Sequence, residues 1–221
     1  DSWISEQYQW SRKVADGVAN GLGLTKHNYG VGGATLSGGT GETYDSFFDQ
    51  IDTFNNDTTF DKDTIKEIVV IGGCNDLIEA HRTASAVATG LKNNILKLRN
   101  TVPDNVPITV ILNFIVRTSD SINWTEQFTR YHTICNLLTE EVALGNIVNA
   151  KFYSLVGSIP RACFMEDLTH IDIAKTAPVI QAILSYIKCG FANDVIFNLQ
   201  TPMQGVFVVE TIHNNGLLEI N

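Results

Sequence analysis

Four short stretches of this chain carry groups that could cooperate in one reaction. They are Asp1-Ser2-Trp3, Asn28-Tyr29-Gly30-Val31-Gly32-Gly33-Ala34-Thr35, Gly73-Cys74-Asn75-Asp76 and Asp167-Leu168-Thr169-His170. A serine hydroxyl attacks well only when a base takes its proton. Histidine, with an ordinary pKa of about 6.5, suits that task near neutrality. Asp167 stands three residues before His170, close enough for one turn of chain to bring the carboxylate to Nδ1. There it would fix the tautomer and stabilise the imidazolium. Acyl transfer also puts negative charge on the former carbonyl oxygen, where each preorganised donor contributes roughly 3–4 kcal/mol. Gly33 permits close backbone approach, Asn75 offers its side-chain NH₂, and the N–H of Ser2 completes the set. The expectation is ester hydrolysis with Ser2, Asp167 and His170 catalytic and with Ser2, Gly33 and Asn75 as oxyanion donors.

Each residue also has a plainer reading. On position alone, Ser2 would cap a helix, and it is the other three stretches that reverse this. Asp167 would cap a helix ahead of Ile171, and both roles are compatible. Gly33 would serve a tight turn, and Asn75-Asp76 an Asx turn after a strand. Asp76 reads as structural, bonding loop backbone. His27, His81, His132 and His213 read as structural or solvated. The glycine run fits neither G-x-G-x-x-G nor the phosphate loop, which requires Gly-Lys-Ser/Thr.

The four stretches resemble the four blocks of the SGNH (GDSL-like) hydrolases, whose Ser, Gly, Asn and His fall here on Ser2, Gly33, Asn75 and His170. In that family an Asn stands five residues before the oxyanion Gly, as Asn28 does before Gly33. The first block usually reads Gly-Asp-Ser, and this chain shows only the Asp and the Ser. The resemblance covers residues 1 to about 188 and not the tail. It implies an acyl-enzyme mechanism with no metal or organic cofactor. It allows small acyl esters, O-acetylated sugars, thioesters and lipids as substrates.

The elements that must position these groups follow from patterning. Residues 3–22 read as a helix, with Trp3, Trp10, Val14 and Val18 near one face and Gly21 and Gly23 at its end. Strands are expected over 27–31, 67–72, 108–115 and 147–153. Helices are expected over 43–54, 79–100, 125–144 and 171–188, the last accommodating Pro178 by a kink or a late start. This alternation predicts an α/β fold, a doubly wound (flavodoxin-like) parallel sheet with helices on both faces. Ligands in such folds bind beyond the carboxyl ends of the strands, where three of the four stretches fall. In such a fold the nucleophile follows a central strand, whose absence would leave two neighbours with unpaired buried backbone. A central strand upstream of residue 1 is therefore expected, whether lost, cleaved or supplied by another segment.

Residues 189–221 read differently. Val195–Leu199, Gly205–Glu210 and Leu217–Ile220 are β-like runs separated by Pro202 and an Asn214-Asn215-Gly216 turn. They predict a short C-terminal β-rich appendage that pairs with a second copy or a neighbouring domain. The domain division is thus 1–188 and 189–221.

Composition narrows the partners. The chain has 221 residues, 44% hydrophobic and 18% charged, with a net charge of -9, enough for one sizeable core. There is no Lys/Arg cluster, which disfavours nucleic acid and anionic membranes as partners. No apolar run approaches the ~20 residues that span a bilayer, so no membrane insertion is expected. Cys74, Cys135, Cys163 and Cys189 form no C-x-x-C pair, so no metal site is suggested. Cys74 and Cys135 read as buried thiols, while a Cys163–Cys189 disulfide stays open. Sequons at Asn56 and Asn123 matter only in a eukaryotic secretory host.

The expected function is a serine esterase acting on O-acetyl groups of a carbohydrate, without cofactor. Trp3, Arg117, Trp124, Arg161 and Phe164 are candidates for shaping specificity. The β-rich tail favours an extracellular, cell-surface or virion-associated protein, by analogy alone. The alternative is a catalytically silent glycan-binding or assembly module of a larger surface or phage-tail protein. Such a module has no need of Asp167 and His170 together.

Overall fold

The computed structural model describes residues 3–39, 45–116 and 124–188, without the side chain of Trp124. Three strands form its sheet: β1 (Ile68–Gly72), β2 (Ile108–Leu112) and β3 (Ala150–Ser154). They pair in parallel in the order β1-β2-β3, with Ile68 opposite Ile108 and Ile108 opposite Ala150. Every residue of β2 is buried, which accounts for its run of branched side chains without polar alternation. Its one hydroxyl, on Thr109, donates to Glu67 at 2.7 Å.

Six α-helices stand among the described residues: α1 (Gln9–Leu22), α2 (Phe47–Asn56), α3 (Cys74–Ile78), α4 (Ala84–Arg99), α5 (Trp124–Ala143) and α6 (Thr176–Lys188). α1 packs on α6, α4 on α5 and α2, and α5 on β3. A single apolar core joins them, including Val14, Leu91, Ile95, Val110, Ile134 and Ile183. The fold is α/β with a small parallel sheet. The described strands follow chain order, so the order reversal that defines a doubly wound sheet is not among them. The expected β-rich appendage lies outside the described residues. No helix among the described residues is long and apolar enough to cross a membrane.

Several boundaries differ from expectation for local reasons. The helix expected from residue 3 begins at Gln9. Ahead of it, Ser5 Oγ accepts from the N–H of Gln7 at 3.1 Å, a local bond that competes with helix formation. The helix expected over 79–100 forms as α4 with a later start, at Ala84, and the short α3 precedes it. Between them His81 takes a φ of 51°, and the N–H groups of Ala80 and Arg82 turn back to the carbonyls of Asn75 and Asp76, each at 2.9 Å. α2 starts later than expected because Ser46 and Asp49 form a reciprocal capping box. Pro178 falls in the first turn of α6, where an absent N–H costs no intrahelical bond. The late start, not a kink, accommodates it.

The strand expected over 27–31 does not form, and residues 24–31 carry no regular structure. The free edge of β1 explains this. Among the described residues β1 pairs with β2 alone. Along its other side runs a groove of about 520 Å³, lined by Ile68–Ile71, Phe54, Ile65, Tyr29 and the 23–30 segment. The 23–30 segment lines that groove together with β1 and makes no sheet pairing with it.

Candidate active site

His170 and Asp167 sit in a short excursion closed on itself. Phe164 and Ile171 form an antiparallel bridge at its base. Asp172 N–H donates to the carbonyl of Cys163, and Met165 N–H to that of His170, both at 2.8 Å. The turn is made at Leu168, whose φ is 54° and whose carbonyl accepts from Val116 N–H at 2.7 Å. Inside it, Asp167 Oδ1 accepts from the N–H groups of Thr169 and His170, each at 2.9 Å. Its Oδ2 lies 2.7 Å from His170 Nδ1. Partial burial raises the Asp167 pKa, but the backbone and imidazole of His170 and the N–H of Thr169 outweigh it. The carboxyl therefore titrates below its ordinary value. With Nδ1 committed to Asp167, Nε2 is the nitrogen left to take and return a proton. Asp167 does not cap a helix, as its plainer reading expected. Asp172 does that, accepting from Ala174 N–H at 2.9 Å where a 3₁₀ turn begins.

The glycine block is pinned from two sides. Asn28 Oδ1 accepts from Gly30 N–H at 2.9 Å, while its Nδ2 donates to the carbonyl of Ile4 at 2.6 Å and to Glu6 at 2.8 Å. This ties the loop to the segment that follows Ser2. Beyond it, Asp76 is fully buried and accepts from the N–H groups of Leu36 and Ser37 at 2.7 and 2.9 Å. The Ser37 hydroxyl and Arg82 Nη1 also bond Asp76. The structural reading of Asp76 matches these contacts. Gly33 has a φ of +81°, which an L side chain rarely adopts, and a Cβ there would meet nothing within 4 Å. The backbone is thus left uncovered on that side.

Asn75 lies inside the first turn of α3 rather than in an Asx turn. Its Nδ2 donates to the carbonyl of Ala34 at 3.0 Å, so the second and third blocks meet directly. Cys74 beside it is buried, and burial above all pushes its thiol up to about 12. Cys135 is half-buried rather than buried, and its thiol is also pushed up to about 12. Neither thiol is nucleophilic near neutrality. Cys189 lies outside the described residues, and with it the disulfide alternative for Cys163.

Ser2 lies outside the described residues. The next residue, Trp3, is 1% exposed. Its ring centroid stands 6.2 Å from Trp10, 6.3 Å from Phe114 and 6.0 Å from Phe164. Trp10 in turn lies 5.8 Å from the His170 ring, and Tyr8 lies 5.7 Å from it. Aromatic packing thus links the segment after Ser2 to the imidazole. Of the residues expected to shape specificity, Trp3 is a buried packing residue, while Phe164, also largely buried, lines a cleft with His170. Arg161 is exposed in a 3₁₀ turn, and Arg117 and the Trp124 side chain lie outside the described residues. Tyr8 and Trp10 had no spacing signal marking them as neighbours of His170. His27 stacks on Phe60 at 3.9 Å and His132 lies 4.2 Å from Phe128, which fits their structural reading. No group of three or more His, Cys, Asp or Glu among the described residues is placed to hold a metal ion.

A sequence profile of the family described as GDSL-like Lipase/Acylhydrolase matches residues 1–202. The chain belongs to that family, whose members are hydrolases of acyl esters. The match runs past Lys188 into the segment that the four blocks alone did not reach. No curated protein and no solved structure matches the chain.

Proposed function

We propose that this protein is a serine esterase that removes O-acetyl groups from a carbohydrate through an acyl-enzyme. Ser2 Oγ attacks the ester carbonyl while its proton passes to His170 Nε2, and Asp167 holds the imidazole by Nδ1. The oxyanion that forms takes hydrogen bonds from the N–H groups of Ser2 and Gly33 and from the Asn75 amide. The carbon–oxygen bond to the alcohol then breaks, and Nε2 returns its proton to the departing oxygen. Water repeats the sequence on the acyl-enzyme, releasing acetate and restoring Ser2. These steps require no metal or organic cofactor.

The observation that carries this reading is the 2.7 Å contact between Asp167 and His170 Nδ1, made in a chain whose glycine loop and Asn75 touch each other. Membership of an acylhydrolase family supports the reaction class. The net charge of -9 disfavours docking on anionic lipid, which leaves soluble acyl esters, and among these the reading takes an acetylated carbohydrate. Hydrolysis of p-nitrophenyl acetate by the chain and by its Ser2→Ala and His170→Ala variants tests the mechanism. Turnover lost in both variants supports it. No turnover from a folded chain moves the assignment to a silent glycan-binding or assembly module.

A further inference from the structure

Seven large hydrophobic residues stand exposed among the described ones, and three of them, Tyr8, Met165 and Ile173, line a single cleft. That cleft, of about 750 Å³, also contains His170, with Gln7 and Glu166 supplying polar groups. Scattered exposed hydrophobics are ordinary, whereas their gathering at a concave site marks a binding surface. Tyr8 occupies a particular place. Its ring is 5.7 Å from His170 and lies nearly parallel to Trp10, at 24° and 6.3 Å. It also abuts the glycine block, because a Cβ on Gly32 would come within 3.2 Å of Tyr8 Cε2 and 2.5 Å of Gln7 Oε1. Tyr8 therefore neighbours both the glycine loop and the imidazole.

The chemistry assigns a side of the site to this cleft. The imidazole must protonate the departing oxygen, so the alcohol half of the ester lies beside His170. The carbonyl oxygen points the other way, toward Gly33 and Asn75, which do not line the cleft. We infer that the cleft is the leaving-alcohol subsite, that it takes a sugar ring, and that Tyr8 is its stacking platform. A pyranose or furanose offers an apolar C–H face to the Tyr8 ring and to Met165. Its hydroxyls suit Gln7 and Glu166 at the margin. A simple alkyl alcohol uses none of the polar groups. This inference rests on the esterase reading above and names which residues choose the alcohol.

The test compares two acetyl esters that share the acyl group, ethyl acetate and a mono-O-acetylated methyl xyloside. The expected result is that Tyr8→Ala lowers the ratio of kcat/KM for the sugar ester to that for ethyl acetate by roughly ten-fold or more. Tyr8→Phe keeps the ring and holds the ratio within about three-fold, and Met165→Ser lowers it in the same direction as Tyr8→Ala. Equal losses on both esters would give Tyr8 a packing role and overturn the inference, as would an unchanged ratio. Turnover of ethyl acetate without turnover of the sugar ester would overturn the subsite while leaving the esterase standing. Binding supplies a readout independent of turnover. Titration of Ser2→Ala with the acetylated xyloside is expected to shift tryptophan fluorescence through Trp10, and no binding would reject the subsite even if small esters are cleaved.

Discussion

Asn28 donates its side-chain amide to the main-chain carbonyl of Ile4 at 2.6 Å, while its own carbonyl oxygen accepts from Gly30 N–H at 2.9 Å. One side chain thereby ties the glycine loop to the segment that follows Ser2. Asn28→Ala is expected to cost about 1–2 kcal/mol of stability, because donors and acceptors on both segments lose partners. Its effect on kcat should exceed what that destabilisation explains at temperatures where the variant stays folded. Urea unfolding and ester turnover on the same samples check both parts.

Asp167→Asn should leave the excursion folded but remove the charge that holds the imidazole. Turnover is expected to fall on the order of 10³–10⁴-fold at pH 7. The carboxyl titrates below its ordinary value of 3.8, so its contribution to stability is fully present above that value. It is lost as pH falls through the lower folded value. The stability difference between wild type and Asp167→Asn should therefore be constant from pH 7 to about 5 and close below pH 4. A difference that instead closes between pH 6 and 7 would assign the contribution to another group.

Glu67 behaves in the opposite sense. Burial raises its pKa above 4.5, outweighing the Thr109 hydroxyl and the Lys151 charge. A carboxyl raised on folding opposes folding when ionised, and the penalty lifts as pH falls toward its ordinary value. Glu67→Gln keeps an acceptor for Thr109 and removes the buried charge. Its Tm is expected to exceed that of wild type at pH 7, with the advantage gone near pH 4.5, as thermal melts across that range would show.

The groove runs along the edge of β1 that pairs with no described strand and is lined in part by apolar side chains. A separate apolar strand-forming peptide should fill it, pair with β1 and raise Tm by about 5 °C or more. Amide exchange should then slow at Ile68–Gly72 on the edge away from β2. An unchanged Tm and unchanged exchange would give the groove a different occupant.

Much of this was legible because burial writes itself into composition. The largely apolar runs at 68–72 and 108–112 announce strands, the second buried throughout, and Thr125–Leu144 declares α5 almost to the residue. The pairing of Asp167 with His170 was legible from a three-residue spacing. What escaped reading depended on groups far apart in sequence. A β-like run at 27–31 makes no strand without a neighbour to pair with. Trp3 looked available for substrate because nothing local says that Phe114 and Phe164 enclose it. Tyr8 became notable only when folding set it near both Gly32 and His170.

The Asp167–His170 excursion is braced chiefly by its own main chain, from Cys163 to Asp172, and reaches the sheet through the Val116–Leu168 bond and aromatic packing. The glycine loop and Asn75 belong instead to the end of β1. The proposed base and oxyanion donors therefore come from separate stretches of chain, and Tyr8, against Gly32 and 5.7 Å from His170, is one side chain that touches both. One apolar core includes Cys163, Phe164 and Ile171 from one stretch and Leu36 and Cys74 from the other. Their relative placement is then a property of the whole core, and turnover should disappear together with the native fold, not ahead of it.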